Sequence, residues 1–352
     1  MGHIIGIDVA SEVSSVVAMT KSGHVALNTR IATSEKNLKQ LIKSFKAPRQ
    51  VVFEECGQAA WLYSVLESVC DDILVCNPNK NRNLSGHNKN DDNDAFNLAE
   101  RARLGALSRV WHGGKNLQNL RDRLRDYQTL TTASTATKNR IKAVFRNRGI
   151  SIGAKAYNPS TRLESITLLK QEALRDRVVH LGEILDVITD QREDAKSELI
   201  KACRKNEMFK PLQSMPGVGD VFAATIIGEV GTPHRFRTRK QFWSYVGFAI
   251  TTYETGEYRA GTGGQIHKKD RKAKTRGLVK QCNFTLKYVF KTMAMGLSSS
   301  DWSEEFKRLQ KSGVCIPNAR LTLARKAAAI ALHLMKTGEM YDEKLVYSRK
   351  QI

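Results

Sequence analysis

Apolar positions along this chain fall into three successive patterns. Residues 3–9, 13–19 and 24–32 are short β-branched runs that predict three strands, with Ser22-Gly23 as a hairpin turn between the second and third. Leu38, Leu41, Ile42 and Phe45 then mark an amphipathic helix that the Ala47-Pro48 step ends. Val51–Glu54 reads as a strand, Trp61–Val69 as a helix, and Ile73–Cys76 as a strand stopped by Asn77-Pro78. This β-β-β-α-β-α-β order predicts an α/β domain over residues 1–110, a mixed sheet covered by helices. Residues 79–90 read as a polar loop, and a helix is expected from about Asp91 to Leu107.

The second pattern is helical. Leu120, Leu124, Tyr127 and Leu130 carry it over about 116–148, and Gly149 to Pro159 breaks it. A second long helix is expected over 163–204, where Leu174, Val178, Leu181, Leu185 and Ile188 alternate steps of three and four. Residues 111–205 therefore read as a helical hairpin or coiled-coil-like segment. The third pattern, over 206–345, is mostly helical. It includes a glycine turn at Met215 to Val221, helices over 222–230, 277–295 and 318–337, a Gly-rich hairpin over 253–265 and a basic loop over 268–276.

Charge changes the picture. The 352 residues carry a net charge of +22, and its placement is uneven. Residues 101–150 hold 12 Lys/Arg against 2 Asp/Glu, and residues 234–291 hold 14 against 3, so these windows account for +21 of the total. Concentrated basic windows in a folded protein predict a polyanion track, because each neutralised phosphate releases a condensed counterion. A membrane surface fits less well, since neither window is a basic helix with a broad apolar face. No apolar run has the length of a membrane span and no leader pattern opens the chain, so the expected location is cytoplasmic. The six cysteines, at 56, 70, 76, 203, 282 and 315, have no metal-like spacing and read as reduced thiols.

Against this basic background four carboxylates stand out. Asp8 and Glu54 end apolar strand-like runs, and Asp91 and Asp94 lie three apart where a helix should begin. A carboxylate closing a core strand is costly unless a cation meets it. Metal-assisted phosphoryl transfer needs several carboxylates converging on two cations ~4 Å apart. The joint pattern predicts that these four bind magnesium or manganese, with Glu55 and Asp92 pointing elsewhere. Taken singly, Asp8 reads as a strand-end cap and the Asp pair as a helix N-terminus.

In order, Gly6-Ile7-Asp8-Val9-Ala10, Glu54-Glu55-Cys56-Gly57, Asn77-Pro78 and Lys89-Asn90-Asp91-Asp92-Asn93-Asp94-Ala95 resemble the DEDD-type transposases of insertion sequences and the related Piv-type DNA invertases. Ser214-Met215-Pro216-Gly217-Val218-Gly219, Phe242 to Gly247 and Tyr253-Glu254-Thr255-Gly256 extend the resemblance over nearly the whole chain. It implies a RuvC-like, ribonuclease-H-like first domain and a C-terminal transposase domain. It implies DNA cleavage and exchange by a homodimer or tetramer, and the use of an element-encoded guide RNA. The family's serine nucleophile stands at the position of Thr255 here. The segment with Gly217 and Gly219 is similar to a helix-hairpin-helix turn, whose following helix offers free N–H groups to phosphate. Lys268, Lys269, Arg271, Lys272, Lys274 and Arg276 are the expected backbone contacts.

Three alternatives stay open at this level. One is hydrolysis by water with Thr255 purely structural, as in the resolvase; another is a catalytically lapsed nucleic-acid-binding relative. The third, an actin-like ATPase suggested by Gly6 to Ser11, lacks a second phosphate loop.

Overall fold

The computed structural model describes residues 2–78, 91–253, 258–260, 265–268 and 274–347. It separates into two compact units, Met1–Gln118 and Asn119–Ile352.

In the first unit, β1 (His3–Asp8), β2 (Val13–Thr20) and β3 (Val25–Ala32) form an antiparallel meander. After α1 (Glu35–Ser44), β4 (Arg49–Glu54) returns parallel to β1. After α2 (Ala59–Leu66), β5 (Asp72–Cys76) adds parallel to β4. A two-residue strand, β6 (Arg109–Val110), pairs antiparallel with β5 and completes the order β3-β2-β1-β4-β5-β6. The expected mixed sheet, built in the β-β-β-α-β-α-β chain order, is therefore present. Ser34 caps α1 by accepting from the Asn37 amide, which fixes where the helix begins. Arg109 donates to both carboxylate oxygens of Asp72, at 2.9 and 2.8 Å, and so clips β6 to its neighbour.

Side-chain alternation splits the sheet into two buried faces. Ile5, Ile7, Val51, Phe53 and Val75 pack with Leu38, Ile42, Leu62 and Leu66 of α1 and α2. Ile4, Val52 and Cys76 face the other way, towards Ala95, Leu98 and Ala99 of α3 (Asp91–Arg103). Gly6 lies under α3, where a Cβ would sit 2.2 Å from the Ala95 carbonyl oxygen and 2.8 Å from the Ala99 nitrogen. The absent side chain is what lets the helix backbone rest on the central strand.

Two long helices, α4 (Lys115–Arg146) and α5 (Glu172–Cys203), dominate the start of the second unit. Ile141, Val144 and Phe145 bury against Val178 and Leu185, whereas Leu124 shares a core with Leu199 and Cys203. That order makes them an antiparallel hairpin within one chain, and the heptad-like spacing read from the sequence is spent on this seam. The helix expected over 163–204 is interrupted. A short helix Arg162–Ile166 precedes α5, and Leu169 of the intervening turn is buried in the hairpin core.

The core of the second unit gathers α6 (Asp220–Val230), α7 (Arg239–Val246), α8 (Phe284–Leu297) and α9 (Ile316–Thr337) around Phe242, Phe248, Phe290 and Trp302. Fully buried Glu305 receives Arg308 and Lys326, at 2.6 Å each. Burial pushes its carboxyl up, but the hydrogen bonds from these two cations outweigh that and hold it below its ordinary value. Trp302 donates to Tyr341 and Trp243 to the Arg325 carbonyl, so both are framework aromatics.

The strands correct the sequence reading. β7 (Ile250–Tyr253) pairs with β10 (Lys274–Leu278), and β8 (Tyr258–Ala260) with β9 (Ile266–Lys268). The antiparallel pair β8–β9 lies within and just beyond the span read as a Gly-rich hairpin, whose residues 254–257 and 261–264 lie outside the described residues. Lys268 and Lys274–Arg276 belong to strands where a loop was expected. Helix α8 begins at Phe284 instead of residue 277, because Thr275 and Leu278 are paired with Thr252 and Ile250. Among the described residues no helix is long and apolar enough to cross a membrane.

Candidate active site

Parallel pairing of β1 with β4 matches Gly6 to Val52 and Ile7 to Phe53, so Asp8 and Glu54 end adjacent strands. Ile4 and Val52 face α3, and the two-residue period carries Asp8 and Glu54 onto that same face. Both are half-buried. Asp94, also half-buried, immediately precedes the Ala95 carbonyl that rests on Gly6. Asp91 is the first residue of α3, one turn earlier, and its side chain lies outside the described residues. Asp8 and Glu54 thereby lie on one face of the sheet, at the same end of two adjacent parallel strands, and Asp94 lies on the helix that covers that face. Among the described residues no three His, Cys, Asp or Glu side chains are gathered as metal ligands.

Glu55 points away, as expected from strand alternation. It pairs with His112 at 2.5 Å, and the His112 ring stacks on Tyr63 of α2 at 5.5 Å and 19°. This pair was not legible in the sequence, because His112 is 57 residues away and outside any motif. It ties the loop after β6 to the residue beside Glu54.

In the second unit the predicted glycine turn joins the short helix Phe209–Gln213 to α6. Gly217 has φ +78°, which only glycine adopts readily, and Gly219 is the N-cap of α6 without a side-chain cap. Asp220 stands in the first turn of that helix, within reach of Gln213 and of Arg204 at 3.8 Å. Its carboxylate takes up part of the positive helix end that a phosphate would use.

Thr255, Lys269, Arg271 and Lys272 lie outside the described residues, as do the side chains of Lys268 and Lys274. Arg276 is exposed on β10. In the other basic window, Arg121 donates to the Gly228 carbonyl at 3.0 Å, and burial lowers its pKa. Arg123 pairs with Glu198, whereas Arg140, Lys142 and Arg146 are exposed along α4. Part of the basic surplus is therefore structural and part faces solvent.

Comparison with known proteins places two family models on this chain. A family model described as a transposase, of the DEDD IS110 type, matches residues 5–148, which include all four predicted carboxylates. A second, described as the transposase IS116/IS110/IS902 family, matches residues 210–295, and the two together cover well over half of the chain. The transposase for insertion sequence element IS1111A of Coxiella burnetii is 24% identical over 257 residues, 72% of this chain and 70% of that protein. A protein of Sinorhizobium fredii named as transposase y4qE is 24% identical over 81% of this chain and 72% of its own length. One of Pseudomonas aeruginosa, named as a family 20 transposase, is 21% identical over 72% and 75%.

Proposed function

Because the chain belongs to the IS110/IS116/IS902 family of transposases, we propose that it cuts and rejoins DNA by metal-dependent phosphoryl transfer in a ribonuclease-H-like first domain. The observation that carries this reading is the parallel register of β1 and β4, with Asp8 and Glu54 on the face that α3 covers. In this reading residues 1–110 hold the RuvC-like catalytic domain, 111–205 the helical segment and 206–345 the C-terminal transposase domain. Asp8, Glu54, Asp91 and Asp94 would hold magnesium or manganese. The donor set fits, since it is made only of carboxylate oxygens, which these hard cations prefer. Bound there, the cations would stabilise charge developing on the phosphate and on the departing oxygen.

The remaining chemistry falls to the chain itself. Thr255 occupies the position of the family's serine and is the proposed nucleophile. Its Oγ forms a bond to phosphorus as the bond from phosphorus to the deoxyribose oxygen breaks. Solvent takes the hydroxyl proton and supplies one to the leaving oxygen. The phosphodiester is kept as a threonine ester, so a second strand rejoins by the reverse step without an external energy source. The methyl group of threonine restricts its rotamers relative to serine. The basic windows, with Arg140, Lys142, Arg146 and Arg276 among them, would grip two DNA segments held by a dimer or tetramer. An element-encoded guide RNA would then supply sequence choice by base pairing.

A strand-exchange assay with denaturing detection of protein–DNA adducts tests the covalent step. Wild type and Thr255→Ser should give the adduct, and Thr255→Ala should give none. Full strand exchange by Thr255→Ala would contradict the nucleophile assignment and favour attack by water.

A further inference from the structure

Helix α8 carries large apolar side chains on both of its sides, where a simple core helix carries them on one. Leu286, Val289, Phe290, Met293 and Leu297 are buried in the second unit. The opposite stripe, at steps of four, three and four, is Phe284, Tyr288, Lys291 and Met295, and solvent reaches it. Phe284 is 70% exposed, Tyr288 65% and Met295 57%. Single exposed apolar residues are ordinary, but two aromatics one helical turn apart on one stripe form a continuous apolar face.

The charge around this face identifies its occupant. Residues 271–300 contain seven Lys/Arg and no Asp or Glu. Lys291 lies within the stripe, and exposed Lys280 precedes the helix by one turn. A second copy of the chain is a poor fit, because pairing two such faces would oppose lysine to lysine, and the neighbouring carboxylate of Glu229 is already taken up by Asn283 at 2.6 Å. Aromatic rings flanked by lysines instead match a polyanion that also offers flat apolar surfaces, which is a strand with unpaired bases. Duplex DNA keeps its bases stacked inside and offers such a face nothing to stack on.

We propose that Phe284 and Tyr288 form a stacking platform for unpaired bases of a single-stranded nucleic acid, with Lys280 and Lys291 on its phosphates. A strand exchange reaction must at some stage hold unpaired nucleotides, and this face would hold them apart from the carboxylates that cut. The inference rests on the nucleic-acid reading above but not on its chemistry.

The test measures binding of the full-length chain to oligothymidylate, oligouridylate and a duplex of equal length at one fixed salt concentration. The Phe284→Ala/Tyr288→Ala double variant should bind single strands about tenfold or more weakly, since each stacked base contributes ~1–3 kcal/mol. Its duplex affinity should stay within about twofold of wild type. Phe284→Tyr/Tyr288→Phe, which keeps both rings, should restore single-strand binding. Comparing the two single-stranded probes identifies whether DNA or RNA is preferred, as either presents the same stacking surface. Iodouracil-substituted strands should crosslink to peptides containing Phe284 or Tyr288.

Unchanged single-strand affinity in a natively folded double variant would overturn the proposal. So would a double variant that loses only self-association in sedimentation, which would assign the face to a second copy. Single-strand binding by a wild type that never cleaves DNA would support the platform while counting against the recombinase reading.

Discussion

Asp8→Asn should lower DNA strand cleavage by about a thousandfold or more while DNA binding is kept. A loss of that size corresponds to ~4 kcal/mol of transition-state stabilisation, the scale expected when a metal ligand is removed. The substitution keeps the shape of the side chain at the end of β1 and removes only its charge. DNA affinity should hold or rise slightly, because one carboxylate fewer would face the phosphates. Glu54→Gln should behave alike, since register and alternation give both residues the same face at adjacent strand ends. Cleavage within about tenfold of wild type in both variants, with magnesium present, would remove the acidic set from the chemistry.

Gly6→Ala should be nearly as damaging by a different route. Its Cβ would stand 2.2 Å from the Ala95 carbonyl oxygen, a backbone atom that no side-chain rotation can move aside. Helix α3 must therefore lift from β1, carrying Asp91 and Asp94 with it. Overpacking typically costs about 1–3 kcal/mol, and a clash with backbone belongs at the upper end of that range. Chemical denaturation should show that loss, and cleavage should fall with it. Gly153→Ala is the matched control, because nothing lies within 4 Å of the added methyl. Equal stability of the two variants would mean that α3 does not rest on the strand as described.

Much of the first unit was legible because burial on both sheet faces demands apolar β-branched runs. His3–Asp8, Arg49–Glu54 and Asp72–Cys76 stand out as such among polar connections. The tight fit of Gly6 against α3 was not legible, since only the packed structure tells which glycine a helix will cross. β6 was too short to show a period at two residues. β10 was hidden for a different reason: its Lys274 and Arg276 read as part of a basic loop, yet pairing with β7 needs only backbone groups. The break in the second long helix was likewise tertiary, because Leu169 leaves the helical register to fill the hairpin core. At the site, strand-end position made Asp8 and Glu54 conspicuous, whereas the His112 partner of Glu55 and the aromatic face of α8 emerged only from three-dimensional proximity and exposure.

The central claim is that Asp8, Glu54, Asp91 and Asp94 together bind the divalent cations that the chemistry needs. Its most direct test is manganese binding, followed by electron paramagnetic resonance on the full-length chain with and without DNA. Wild type should take up manganese saturably, and Asp8→Asn and Glu54→Gln should each weaken binding about tenfold or more, as loss of a charged ligand requires. Manganese affinity that is unchanged in both variants would contradict the account.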